Sequence, residues 1–156
     1  MVLVVGVLLA AWYFWPKTLP EQKIKVYFFQ ENQLTAFERP LGPNEAPLTK
    51  ALKELLAGPN RDEKAKGAFS LLPPGTRLLG LKIQNKIASL NFSRQIENAS
   101  GGAARLKGMV AQVVFTATDI RGIEKAWLWV EGQKEVVLGG EGLVLDQPLD
   151  RSAVSN

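Results

Sequence analysis

LPPGTRLLGLKIQNKIASLNFS, Leu72 to Ser93, is the stretch on which the fold turns. Pro73-Pro74-Gly75-Thr76 is a turn that closes off whatever precedes it. Leu79, Leu81 and Ile83 then alternate along Leu78–Gln84, which predicts a strand with one apolar face. Asn85-Lys86 reads as a two-residue hairpin link, because Asn tolerates the positive φ that such a turn requires. Ile87–Phe92 is the partner strand, with Ala88, Leu90 and Phe92 on one side. A hairpin with a single apolar face must bury that face against another layer.

The second layer stands on either side of it. Upstream, Pro47 suits the first position of a helix, and Leu48, Leu52, Leu55 and Leu56 fall on one stripe. Gly58-Pro59 stops it, so a helix is predicted over 47–57. Downstream, Leu106, Met109, Val110, Val113, Val114 and Ala117 mark a second helix over 102–118. Further out, Ile24–Phe29 predicts a strand, with Ile24, Val26 and Phe28 on one face and Lys25, Tyr27 and Phe29 on the other. After a turn at Glu31-Asn32-Gln33, Leu34–Arg39 predicts a short strand ended by Pro40. Asn60–Lys66 reads as a charged, exposed loop. Ile123–Val130 is another strand, and Val136–Leu138 with Leu143–Leu145 a last hairpin. The order is β(β)-α-β-β-α-β with a C-terminal β hairpin. It gives an α+β two-layer sandwich, two helices packed on one mostly antiparallel sheet.

Val2–Trp15 is an unbroken apolar run. As a helix it reaches roughly 21 Å, short of the ~30 Å bilayer core, so residues 1–15 read as a membrane anchor whose start is incomplete. The cluster Trp12-Tyr13-Phe14-Trp15 suits the membrane–water boundary. Residues 16–22, with two prolines, read as a linker. The folded domain is expected over 23–151, followed by a disordered tail over 152–156.

The whole chain has 156 residues and a net charge of +4, with no Cys and no His. That excludes cysteine nucleophiles, Ser-His-Asp triads, Cys/His zinc sites and disulfides. Asp62, Glu63, Glu124, Glu135, Glu141, Asp146 and Asp150 fall in loops and strand ends and read as solvated charge. Thr76, Ser93, Thr116 and Thr118, at turn or helix ends, read as local backbone partners. No catalytic residue, cofactor or metal site is expected.

The pieces KVYFF (Lys25–Phe29), ALKELLAGP (Ala51–Pro59), the hairpin of Leu72–Ser93, VVFTATDIRGIEKAWLWVEG (Val113–Gly132) and PLDR (Pro148–Arg151), in that order, resemble the GerMN domain family. These are the sporulation and spore-germination domains of GerM-like bacterial envelope proteins. The resemblance implies a ring-building-type α+β domain, tethered to the cell membrane by a single pass and facing outward. It implies a non-catalytic protein acting by protein–protein assembly, with envelope proteins or itself as partner and ring formation possible. Another role compatible with the same fold is an extracytoplasmic module that modulates a membrane signalling protein or binds cell-wall glycan. The family's usual Asp-Gly hairpin link is Asn85-Lys86 here, and its partner-strand acid is Asn91.

One aromatic pattern bears on partners. Trp127 and Trp129 alternate with Ala126, Leu128 and Val130, so both indoles face the side of the sheet away from the helices. Tyr27 and Phe29 are expected on that side too. Either the N-terminal or C-terminal hairpin covers that face and the indoles are ordinary packing, or these four form a candidate interaction surface, with Arg39 and Arg151, at the ends of family-like pieces, as its rim. Sheet-face aromatics on a basic chain also suit RNA, but Ile87–Phe92 lacks the Lys/Arg-Gly-aromatic strand motif, so no nucleic acid is expected.

Overall fold

The hairpin of Leu72–Ser93 forms as two strands, β3 (Leu78–Gln84) and β4 (Ile87–Phe92), in a computed structural model that describes residues 21–140 and 142–155. Asn85 and Lys86 both take positive φ, 52° and 63°, as a type I′ link requires. A bulge between Leu78 and Gly80 corrects the simple alternation. It turns Leu79 out to 49% exposure, while Leu78 and Leu81 pack against the core. A period of two cannot show an inserted residue.

Two helices cover the hairpin. In α1 (Pro47–Ala57) Leu48, Ala51, Leu52 and Leu55 are buried, and Gly58 closes the end with φ 81°. A short helix, α2 (Arg61–Ala65), follows where an exposed loop was expected. Asn60 accepts from the Glu63 amide while the Glu63 carboxylate accepts from the Asn60 amide, a reciprocal cap. α3 (Ala103–Thr118) buries its whole predicted stripe. β5 (Lys125–Val130) pairs with β4 in parallel, because a helix crossover returns the chain in the same direction.

The single expected sheet is three. β3-β4-β5 form one, β1 (Gln22–Gln30) and β2 (Gln33–Leu41) a second, a two-stranded ribbon, and β6 (Val136–Leu138) with β7 (Leu143–Leu145) a third. The reason lies in two buried polar side chains of α3. Thr116 Oγ1 accepts from the Tyr27 amide at 3.1 Å, and Gln112 Nε2 donates to the Tyr27 carbonyl at 3.1 Å. Two side chains thus satisfy backbone that a neighbouring strand would otherwise satisfy. Gln112 Oε1 also accepts from the Leu71 amide at 2.7 Å. The sheets are joined through one core. Val26 and Phe28 of β1, Leu52 and Leu55 of α1, Met109 and Val113 of α3, Leu90 of β4 and Leu128 of β5 all belong to it.

Two boundaries move. β2 runs through Pro40, opposite Lys23, because an edge strand tolerates a missing amide donor. Residues 152–154, where a disordered tail was expected, belong to α4 (Arg151–Val154), capped by Asp150 Oδ1 accepting from the Ala153 amide. The expected anchor over 1–15 and residues 16–20 of the linker lie outside the described residues. No helix among the described residues is long and apolar enough to cross a membrane.

Candidate interaction surface

The six residues expected to share one surface fall in three places. Arg39 is 7% exposed and packs against α2 and α1. Its guanidinium donates to both Glu63 oxygens, the longer contact being 2.7 Å, and to Glu54 at 3.1 Å. Burial would raise the Glu63 carboxyl, but the Arg39 guanidinium and the Asn60 amide outweigh it and hold the group below its ordinary range. Arg39 is therefore a buried ion-pair partner and not part of a contact rim.

Tyr27, Phe29 and Arg151 lie on the β1 side of the molecule, away from the Trp pair, because β1 and β5 belong to different sheets. Tyr27 is 9% exposed, and its hydroxyl donates to Asp119 Oδ1 at 2.9 Å. Burial first, then the Asp119 carboxylate, push its phenol up. The Arg151 guanidinium stands 5.6 Å from the Tyr27 ring centre and 4.8 Å from that of Phe115. Its Nε donates to Thr118 Oγ1 at 2.9 Å, and Nη2 donates to Asp119 at 3.2 Å and to the Phe115 carbonyl at 3.3 Å. This cluster fastens α4 to the end of α3. Phe29 stacks on Phe69, ring centres 5.9 Å apart.

Trp127 and Trp129 stand on the outer face of β3-β4-β5, as their alternation predicts. Ser89 is opposite Trp127 and Asn91 opposite Trp129; Lys82 and Gly80 of β3 continue the two rows. The indoles meet edge to face at 5.5 Å. Both are half-buried. Glu131 and Gly132, each with positive φ, turn the chain back, so that Gln133 pairs with Val130. Asn91 Oδ1 accepts from the Gly132 amide at 2.8 Å and secures this turn. The next residue, Lys134, is thereby placed with its ammonium 5.8 Å from one indole centre and 5.1 Å from the other. Trp127 Nε1 donates to the Lys134 carbonyl at 3.2 Å. Trp129 Nε1 is buried and has no acceptor among the described residues.

Lys134 could not be placed here from the strand pattern; the Glu131-Gly132 pair was the available signal, as a turn directly after a strand. Lys82, Lys125 and Lys134 are exposed on this face, and none of the outward strand positions facing the indoles carries an acid. The surface can therefore offer flat apolar contact and cations. Among the described residues no group of three or more Asp or Glu could hold a metal ion. Of the scattered carboxylates, Glu63 pairs with Arg39, Glu124 with Lys86, and Asp150 caps α4.

Residues 25–136 match the family named Germane, described as sporulation and spore germination. The first GerMN domain of the sporulation protein GerM from Bacillus subtilis superposes with a TM-score of 0.68 at 22% identity, covering 84% of this chain and 98% of that domain. The tandem GerMN domains of the same protein give a TM-score of 0.67 at 20% identity; 84% of this chain is covered, and it spans only 45% of that one. A structure described as a lipoprotein of Clostridium perfringens gives 0.57 at 24% identity, covering 85% of this chain and 89% of that one. No curated protein matches the chain by sequence.

Proposed function

The chain belongs to the Germane family of sporulation and spore-germination domains through residues 25–136, and on that premise we propose that it is a non-catalytic envelope protein, tethered to the cell membrane by residues 1–15, whose extracytoplasmic domain docks on another envelope protein. The observation that carries this reading is the Trp127–Trp129–Lys134 surface. Aromatic anchors supply most of the energy of protein interfaces, and here two indoles stand on a sheet face that no helix among the described residues covers. The three lysines of this face repel a second copy laid face to face, so a partner with acidic groups fits it better than the chain itself.

A photoactivatable crosslinking residue in place of Lys125, beside the indoles, tests this in intact cells carrying the full-length chain. The expected result is one discrete adduct with an extracytoplasmic protein, absent when the same group replaces Lys66 at the far end of the ribbon. An adduct with a cytoplasmic protein, equal adducts from both positions, or none from either would overturn the reading.

A further inference from the structure

β3 is an open edge, whereas β5 and β1 carry further pairings at theirs. Among the described residues it ends its sheet and pairs only with β4, so one row of its backbone N–H and C=O groups faces no described strand. At the other edge of the same sheet Leu149 exchanges two hydrogen bonds with Ala126 of β5, 2.9 and 2.8 Å, and Gln133 exchanges two with Val130. Phe69 exchanges two with Phe29 of β1, 3.0 and 2.9 Å. The bulge at Leu79 restricts the regular open edge to Gly80–Gln84.

Beside this edge, between β3 and α1, runs a groove of about 550 Å³ whose apolar walls are Leu56, Leu78, Leu79 and Leu81. Ile83, 51% exposed, extends the apolar edge beyond it. Lys53 and Arg77 line the groove, and Lys82 points to the other side of the strand. None of these three cations makes an ion pair with any described residue.

We infer that the β3 edge accepts an extended segment of another protein as an added strand, and that this segment alternates apolar residues with acidic ones. In strand addition the main chain supplies the hydrogen bonds, and alternate side chains go to opposite faces. Apolar residues of the segment enter the groove against Leu78 and Leu81, and acids on the opposite face meet Lys82. A second copy of β3 is a poor occupant. Arg77–Lys86 contains three cations and no acid, so self-pairing sets cation beside cation. This edge lies two strands from the indoles and shares Lys82 with their face.

The probe is a synthetic peptide alternating valine and glutamate, added to the full-length protein, with a valine–lysine peptide as its control. Backbone amide shifts and fluorescence polarisation are the readouts. The glutamate peptide should shift amides of Gly80–Gln84 and slow their hydrogen exchange, and added salt should weaken it. Lys82→Glu should weaken it about tenfold, and Trp127→Ala should leave its affinity within about twofold. Equal affinity for the lysine peptide, shifts centred on Trp127 and Trp129, or no shifts at millimolar peptide would overturn the inference. Trp127→Ala removes an indole and leaves Lys82 in place, so an unchanged peptide affinity in that variant separates this edge from the surface probed at position 125.

Discussion

Two clusters in this molecule are built from the same parts and used in opposite ways. On the ribbon side, Tyr27 and Phe115 hold the Arg151 guanidinium, with ring centres 5.4 Å apart. On the outer sheet face, Trp127 and Trp129 hold the Lys134 ammonium, with ring centres 5.5 Å apart. Arg151 is engaged through Nε and Nη2 by Thr118, Asp119 and a carbonyl, and Tyr27 donates to Asp119. Lys134 has no ion pair among the described residues, and Trp129 has no acceptor. An aromatic–cation cluster does not itself mark a binding surface. What distinguishes the two is whether the polar atoms already have partners inside the fold.

The largest effect should come from the closed side. Glu63→Ala leaves the buried Arg39 charge without its main partner and removes half of the α2 cap, and should cost about 3 kcal/mol in a urea titration. The same pair predicts a pH dependence. The Glu63 carboxyl is held below its ordinary range. Its contribution is therefore complete above the unfolded-state value of about 4.3 and is lost as pH falls through the lower folded value. The stability gap between the native chain and Glu63→Gln should be widest near neutrality and shrink in acid. A gap that widens in acid would contradict this assignment.

The reach of the sequence is clear from these residues. Stripes and links are local, so α1, α3 and the Asn85-Lys86 hairpin can be read directly. The Asn60–Glu63 cap is equally local, and it was a readable sign of α2. Arg39 and Glu63 stand 24 residues apart, and nothing local joins them. Tyr27 and Phe29 were expected beside the indoles because strand alternation fixes a face but not the sheet to which that face belongs. That assignment depends on Gln112 and Thr116, whose polar side chains sit within an apolar helix stripe and bond β1 across the core. The outward alternation of Trp127 and Trp129 was legible; the lysine between them was not, since a turn brings it there.

Arg151→Ala should cost less than the Glu63 change, about 1 kcal/mol, because the guanidinium is 40% exposed and screened. The loss should appear first as faster amide exchange in α4. Lys134→Glu should change stability least, by under about 1 kcal/mol, yet strongly reduce adduct formation from position 125. Comparable stability losses for Arg151→Ala and Lys134→Glu would erase the distinction between the closed cluster and the open one.

Trp129→Phe separates the two uses in a single variant. It removes a buried donor that has no acceptor among the described residues and puts a smaller ring on the face. The measurement is its urea midpoint together with the adduct yield from position 125. An unchanged or higher midpoint with a sharply lower yield is the predicted result. A lower midpoint, or a yield equal to that of the native chain, would contradict the claim that the ring of this indole serves a partner and not the fold.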